Sequence, residues 1–409
     1  MLKIKKSSIE DIAFGCIIVF TLAAHDYKLL FAVVQVIGSI IIYTSCLSNK
    51  VIQREKLYYV AWQVGLIFLG GLSLSWAVNT SSVLLSVRSL IQVTLVGFAI
   101  ILYVRSDERM GKLFNYILMG ASFLIIRMII QVPITAWGSE RVGNYIGYGN
   151  NGAANILAYS ALFAFYLYKQ RNKSYMFFVL TFILFSFLCG SKKAVLIAIL
   201  GIGTQLILNA KRPMEFIIRT FQVVLAVVIV AYCIMNIPLL YNVLGVRIER
   251  MFLAFSEGKG GDMSTLDRIY FIQRAIEVFL QNPIHGVGLD NFRHYNYNDY
   301  YAHNNYVELA ADLGVLGVIA YYWFPLSLLI KSGRCLRSKE GVFVFVLMCV
   351  ILTMDFANVS YFVDSIQLFI AAAFTILLQI YKKSSYKVVK ENNNAKITLY
   401  INKNSKRDW

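Results

Sequence analysis

Apolar residues run through this chain in blocks of spanning length, each closed by a short charged or polar stretch. Twelve blocks can be marked, at about 8–24, 29–47, 58–76, 83–104, 113–133, 152–168, 175–190, 194–209, 216–237, 305–330, 341–357 and 363–381. A helix that crosses a bilayer satisfies its backbone internally and needs roughly 20 mainly apolar residues. The pattern therefore predicts an all-α, polytopic integral membrane protein of about twelve transmembrane helices. The long interruption from about Pro238 to His303 exceeds a connector and predicts a large, partly helical loop that carries structure or function. The first block follows Lys3, Lys5 and Lys6 without a small-residue cleavage site and is succeeded by further blocks, so it reads as a retained helix.

Starting the chain inside puts segments around 1–7, 48–57, 105–112, 169–174, 210–215, 331–340 and 382–409 in the cytoplasm, where they hold most of the 39 Lys and Arg. That agrees with the positive-inside bias and makes loop 238–304 extracytoplasmic, with both termini inside at the cytoplasmic membrane. The expected organisation is one membrane domain, 1–381, followed by a solvated basic cytoplasmic tail, 382–409. Composition concurs, with 58% hydrophobic residues and a mean hydropathy of +0.62. The net charge of +17 is accounted for by topology and by attraction to anionic headgroups, so the bilayer and not nucleic acid is the expected partner. The six Cys have no paired spacing, which indicates neither a disulfide framework nor a zinc site.

In the long loop, basic residues are balanced by acidic ones, so positions must be weighed one at a time. Gly258-Lys259-Gly260-Gly261 reads as a hinge without Walker spacing. After it, Ser264-Thr265-Leu266-Asp267 reads as a capping box opening an amphipathic helix that ends at Asn282-Pro283. On that helix Arg274 can pair with Glu277, whereas Arg268 leaves from a face shared with Phe271, Ile272 and Ala275 and calls for an anion. Other basic residues away from cytoplasmic loops are Arg88 and Arg127 within spans, Arg141 in a shorter outer loop, and Lys192-Lys193 at an outer helix end. Charge near hydrocarbon marks a site by default. Arg88 and Arg127 read first as interhelical partners of buried acceptors. Lys192 and Lys193 either snorkel or bind substrate. The Gly-, Tyr- and Asn-rich segment from Gly138 to Asn151 can bring backbone N–H groups to an anion and amides to sugars, or can be a simple turn before a helix near Gly152.

Of four His, His303 stands where the long loop meets a membrane helix, in Ala302-His303-Asn304-Asn305-Tyr306-Val307-Glu308-Leu309. An imidazole there can serve as general base near neutral pH. His285, His294 and His303 lack the spacing of a helical zinc motif. Gly314 and Gly317 are expected to permit close helix contact beneath His303.

The runs Asp267-Arg268-Ile269, Asn282 to Phe292 and Ala302 to Gly317, in this order and spacing, resemble the signature region of the O-antigen ligase and polymerase family. Gly190-Ser191-Lys192-Lys193-Ala194 resembles its Ser-Arg-Gly element, and Arg141 to Ala158 its Gly-Asn-rich element. The resemblance implies a metal-independent, cofactor-free glycosyltransferase that takes glycan from a polyprenyl-diphosphate lipid and passes it to an acceptor hydroxyl with inversion. It implies His303 as base with Arg268 and Lys192 holding the diphosphate, and Lys193, Arg141, Asn151 and Asn304 complete the candidate set. Lys192 departs from the family's usual Arg, so Lys193 is expected to share its task or the phosphate geometry to differ. Polymerisation of repeat units into surface polysaccharide such as capsule is preferred to ligation of finished glycan, on a Lys-, Ile- and Asn-rich composition. Other polysaccharide-assembly proteins are further expected partners. A lipid-linked oligosaccharide flippase is the rival reading, against which stand the long loop and the lack of an internal repeat.

Overall fold

The computed structural model describes residues 6–48, 53–257 and 263–393, and among them it is all-helical, without strands. In chain order the main helices are α1 (Lys6–Ala23), α2 (Lys28–Ser48), α3 (Leu57–Leu72), α4 (Thr80–Tyr103), α5 (Asp107–Gln131), α6 (Gly149–Gln170) and α7 (Tyr175–Leu188). They continue with α8 (Lys192–Leu208), α9 (Pro213–Asn236), α10 (Val246–Glu257), α11 (Met263–Gln281), α12 (Asn305–Gly333), α13 (Lys339–Met354) and α14 (Asp364–Asn393). Among the described residues, seven helices are long and apolar enough to cross a membrane: α2, α3 with its flanking turns, α4, α5, α9, α12 and α14. The helices α1, α6, α8 and α13 pack among them, and α7 is a shorter apolar helix.

Helix α6 lies at the centre because Ala153, Ala154, Ala158, Ala161 and Ala164 let neighbours approach, and nearly its whole length is buried. Helix α9 is its opposite, with almost every large side chain exposed. At one end of the bundle Arg127 bonds Asp26, Asn79 bonds Asn291, and Asn305 bonds Asp355. At the other, Arg105 pairs with Glu10, Lys339 with Gln170 and Lys383 with Asp107. These two sets of contacts make successive helices run up and down.

Some local expectations shift. Helix α6 opens at Gly149, ahead of Gly152. The described part of α11 begins at Met263, and the Gly258–Gly261 hinge and the side chain of Ser264 fall outside the described residues. Arg274 does pair with Glu277, at 2.7 Å. Helix α14 continues to Asn393, into the tail expected to be solvated, and residues 394–409 lie outside the description.

Candidate functional site

Helix α12 begins with a set of capping contacts that fix the residues around His303. The Asn304 side chain accepts from Tyr306 N at 3.0 Å and Val307 N at 3.3 Å, while the Glu308 carboxylate accepts from Ala302 N. Asn305, fully buried, donates to the Tyr322 hydroxyl at 2.7 Å and accepts from Ser360 N at 2.8 Å. With 302, 304 and 305 held, His303 takes φ +57°, a left-handed conformation costing about 1 kcal/mol for a residue with a Cβ. Its ring lies 4.1 Å from that of Tyr301 and 6.2 Å from that of Phe271 on α11.

Cations from three other elements converge there. Burial first, then the charges of Arg268 on α11 and Lys193 on α8, push the His303 pKa down to about 3. Lys193 also feels Arg268, Arg141 and Lys192, so these four cations share one neighbourhood. Lys193 is tied to the loop between α13 and α14, donating to Ala357 O and Asn358 Oδ1. Arg141 donates to Cys189 O and to Asn151 Oδ1, each at 3.2 Å, and Asn151 Oδ1 also accepts from Ser191 Oγ at 3.0 Å. Beside Arg141 opens a cavity of about 590 Å³ lined also by Glu140, Asn144, Tyr145 and Asn150.

The motif between α11 and α12 has a main-chain role. Helix α12 breaks at Gly314, whose φ of 65° and ψ of −163° are open to glycine and where a Cβ would strike Ile284. The backbone groups freed by the break pair with the preceding loop: Val287 N with Ala311 O at 3.0 Å, Gly288 N with Asp312 O at 2.8 Å, and Val315 N with Pro283 O at 2.9 Å. Gly286, φ 65°, packs its Cα against the Asp312 backbone, where no side chain fits. The Asp312 carboxylate, fully buried, accepts from the N–H groups of Asp290 (3.0 Å), Asn291 (3.0 Å) and Phe292 (2.8 Å). Backbone groups freed by a break away from water must be satisfied by protein, and this loop does so. Gly314 is thus a break and not the close helix contact that the sequence suggests.

Of the residues singled out in the sequence, His303, Arg268, Lys192, Lys193 and Arg141 share one region, and Asn151 and Asn304 adjoin it with their amide oxygens already engaged. Arg127 stands apart: from α5 it donates to Ala23 O at the end of α1 and bonds Asp26, in the turn between α1 and α2, through both terminal nitrogens at 2.8 Å. Arg88 is exposed on α4. His294 bonds Ser82 and Asp299, and the His285 ring lies 5.1 Å from that of Trp76, tilted against it. Among the described residues no group of three or more His, Cys, Asp or Glu converges as a metal would require. Sequence reading passed over Glu308, Asp312 and Asp355, although acids inside apolar runs carry the same signal that drew attention to the cations.

A family model described as O-antigen ligase matches residues 176–322, which span α7 to the second half of α12 and include Lys192, Lys193, Arg268 and His303 but not Arg141 or Asn151. No curated protein matches this chain.

Proposed function

We propose, from the match of residues 176–322 to the O-antigen ligase family model, a membrane glycosyltransferase that moves glycan from a polyprenyl-diphosphate carrier to an acceptor hydroxyl. The observation that carries the reading is the convergence of Arg268 and Lys193 on the half-buried imidazole of His303, with Arg141 and Lys192 in the same field. Like charges held together in a partly dry site are costly alone and favourable around a polyanion. His303 takes the acceptor proton as the hydroxyl oxygen attacks the anomeric carbon. The bond from that carbon to the diphosphate oxygen breaks, and its electron pair leaves with the carrier. One displacement inverts the anomeric centre. Because side chains neutralise the leaving charge, the reading is metal-independent.

The depressed basicity of His303 fits this scheme. With the site empty, the imidazole is neutral and too weak a base; a bound diphosphate offsets Arg268 and Lys193 and raises its affinity for a proton. Base strength then arrives with the donor. Asn151 and Asn304 act as positioning residues, one holding Arg141 and the other the helix start behind His303.

We read twelve of the helices, all but α10 and α11, as crossings. Supporting this are the alternation of their ends and the basic residues Lys169, Lys211, Arg212, Arg334, Arg337 and Lys339 at the end away from His303. The 238–304 segment then caps a cleft on the outer face of the cytoplasmic membrane, open sideways to the carrier's tail. For the acceptor we take a growing lipid-linked glycan, which makes the protein a polymerase of repeat units for surface polysaccharide. Mass analysis of lipid-linked glycans after loss of the protein tests this. Accumulated single units support it; long lipid-linked chains make the protein a ligase, and unchanged glycans overturn the assignment to transfer.

A further inference from the structure

A second cavity, of about 540 Å³, lies at the opposite end of the bundle from His303, between the far ends of α6 and α8, the start of α9 and the turn before α13. Its lining includes Lys169, Lys211, Arg219, Arg337 and Lys339 and contains no acidic side chain. Two acids sit at its margin: Glu215 pairs with the lining Arg219 at 3.3 Å, leaving Lys169, Lys211, Arg337 and Lys339 with charged groups it does not meet, and Glu340 accepts from the lining Tyr166 at 3.2 Å. Topology explains basic residues at a membrane surface, but not a concave site with an unmatched donor inside it. Gln205, only 3% exposed, lines this cavity, and its Nε2 has no protein hydrogen-bond partner. A buried amide donor left unmatched is destabilising unless something accepts from it.

We propose that this cavity binds a phosphate group, the Gln205 amide donating to a phosphate oxygen and the surrounding cations neutralising its charge. The exposed apolar flank of α9 begins beside Arg219, with Met214, Phe216, Ile217 and Phe221 facing outward. An anionic phospholipid can therefore set its headgroup in the cavity and its acyl chains along α9. The site stands apart from the transfer reaction. Yet α6 and α8, whose near ends carry Asn151, Lys192 and Lys193, form its walls.

The test uses the purified full chain in detergent, titrated separately with phosphatidylglycerol, phosphatidylcholine and inorganic phosphate, with thermal midpoint and native mass as readouts. Phosphatidylglycerol is expected to bind and raise the midpoint, and phosphatidylcholine to do neither. A response to inorganic phosphate as strong as to the lipid assigns the site to a soluble anion instead of a headgroup. In the variant carrying Arg337→Ala and Lys339→Ala, both exposed positions, affinity is expected to fall about tenfold or more. The charge-preserving pair Arg337→Lys and Lys339→Arg should retain it. Gln205→Leu should weaken binding by a similar factor, and native mass identifies any variant that no longer forms one species. Equal binding by wild type and the Ala pair, or no response to either anion, overturns the proposal.

Discussion

His303 occupies backbone space that an imidazole enters only under constraint, and the constraint comes from the hydrogen bonds of its neighbours at 302, 304 and 305. Two measurable consequences follow from its position among cations. First, His303→Ala should lower transfer by about a hundredfold to ten-thousandfold while the lipid-linked donor still binds. Wild-type turnover by that variant in proteoliposomes would remove the base assignment. Second, the folded pKa lies at about 3, below the ordinary 6.5, so the unfolded chain takes up the proton first as pH falls. The stability gained from the neutral ring is complete above 6.5 and is lost as pH drops toward 3. In kinetics, kcat/KM titrates the free enzyme and should keep its value through 6.5, whereas kcat titrates the donor complex and should fall at a higher pH. Arg268→Gln removes one of the charges and should move the kcat/KM limb up toward 6.5. Coincident limbs in the wild type, or an unmoved limb in the variant, would show that the cation field does not act on this ring.

At the level of elements, α12 and the loop before it form one unit, because each satisfies backbone groups the other leaves open. Asp312 is the pivot. Replacing it with Ala strands three buried N–H groups, each worth about 1–3 kcal/mol, so Asp312→Ala should lose several kcal/mol of stability. Asp312→Asn keeps one acceptor oxygen and should lose less; denaturant unfolding in detergent separates the two, and equal stability of both with wild type would deny the loop its anchoring role. The sequence made part of this legible. Charge is expensive near hydrocarbon, so Arg268, the Lys pair and Arg141 stood out on separate elements, and the loop-to-helix junction marked His303. The pairing of 283–288 with 311–316 could not be read, because it is made by main-chain groups and depends on the sign of φ at Gly314. Asn151 and Asn304 stand in the candidate substrate-binding set for a related reason: residue type shows that an amide is present, not that its oxygen already caps a helix or holds an arginine.

For the whole molecule, the apolar blocks marked in the sequence recur as helices, and the charged breaks between them recur as turns at alternate ends of the bundle. The outward orientation of the His303 end rests on charge asymmetry, which can be tested directly. The native cysteines, Cys16, Cys46, Cys189, Cys233, Cys335 and Cys349, are all free and include the exposed Cys16, so single probes belong in a background where they are replaced by Ser or Ala. Tyr145, exposed beside the cavity at Arg141, and Arg337, exposed at the far end, make a matched pair. With a membrane-impermeant maleimide, Tyr145→Cys should label in intact cells and Arg337→Cys only after permeabilisation. Reversal would put the site on the cytoplasmic face, where a polyprenyl-linked acceptor chain growing outside the cell could not reach His303. Labelling of both from outside would deny an odd number of crossings between α6 and the turn before α13. Reversal alone would remove the outer-leaflet reaction, and it would leave the local geometry around His303 intact, so topology and chemistry can fail separately.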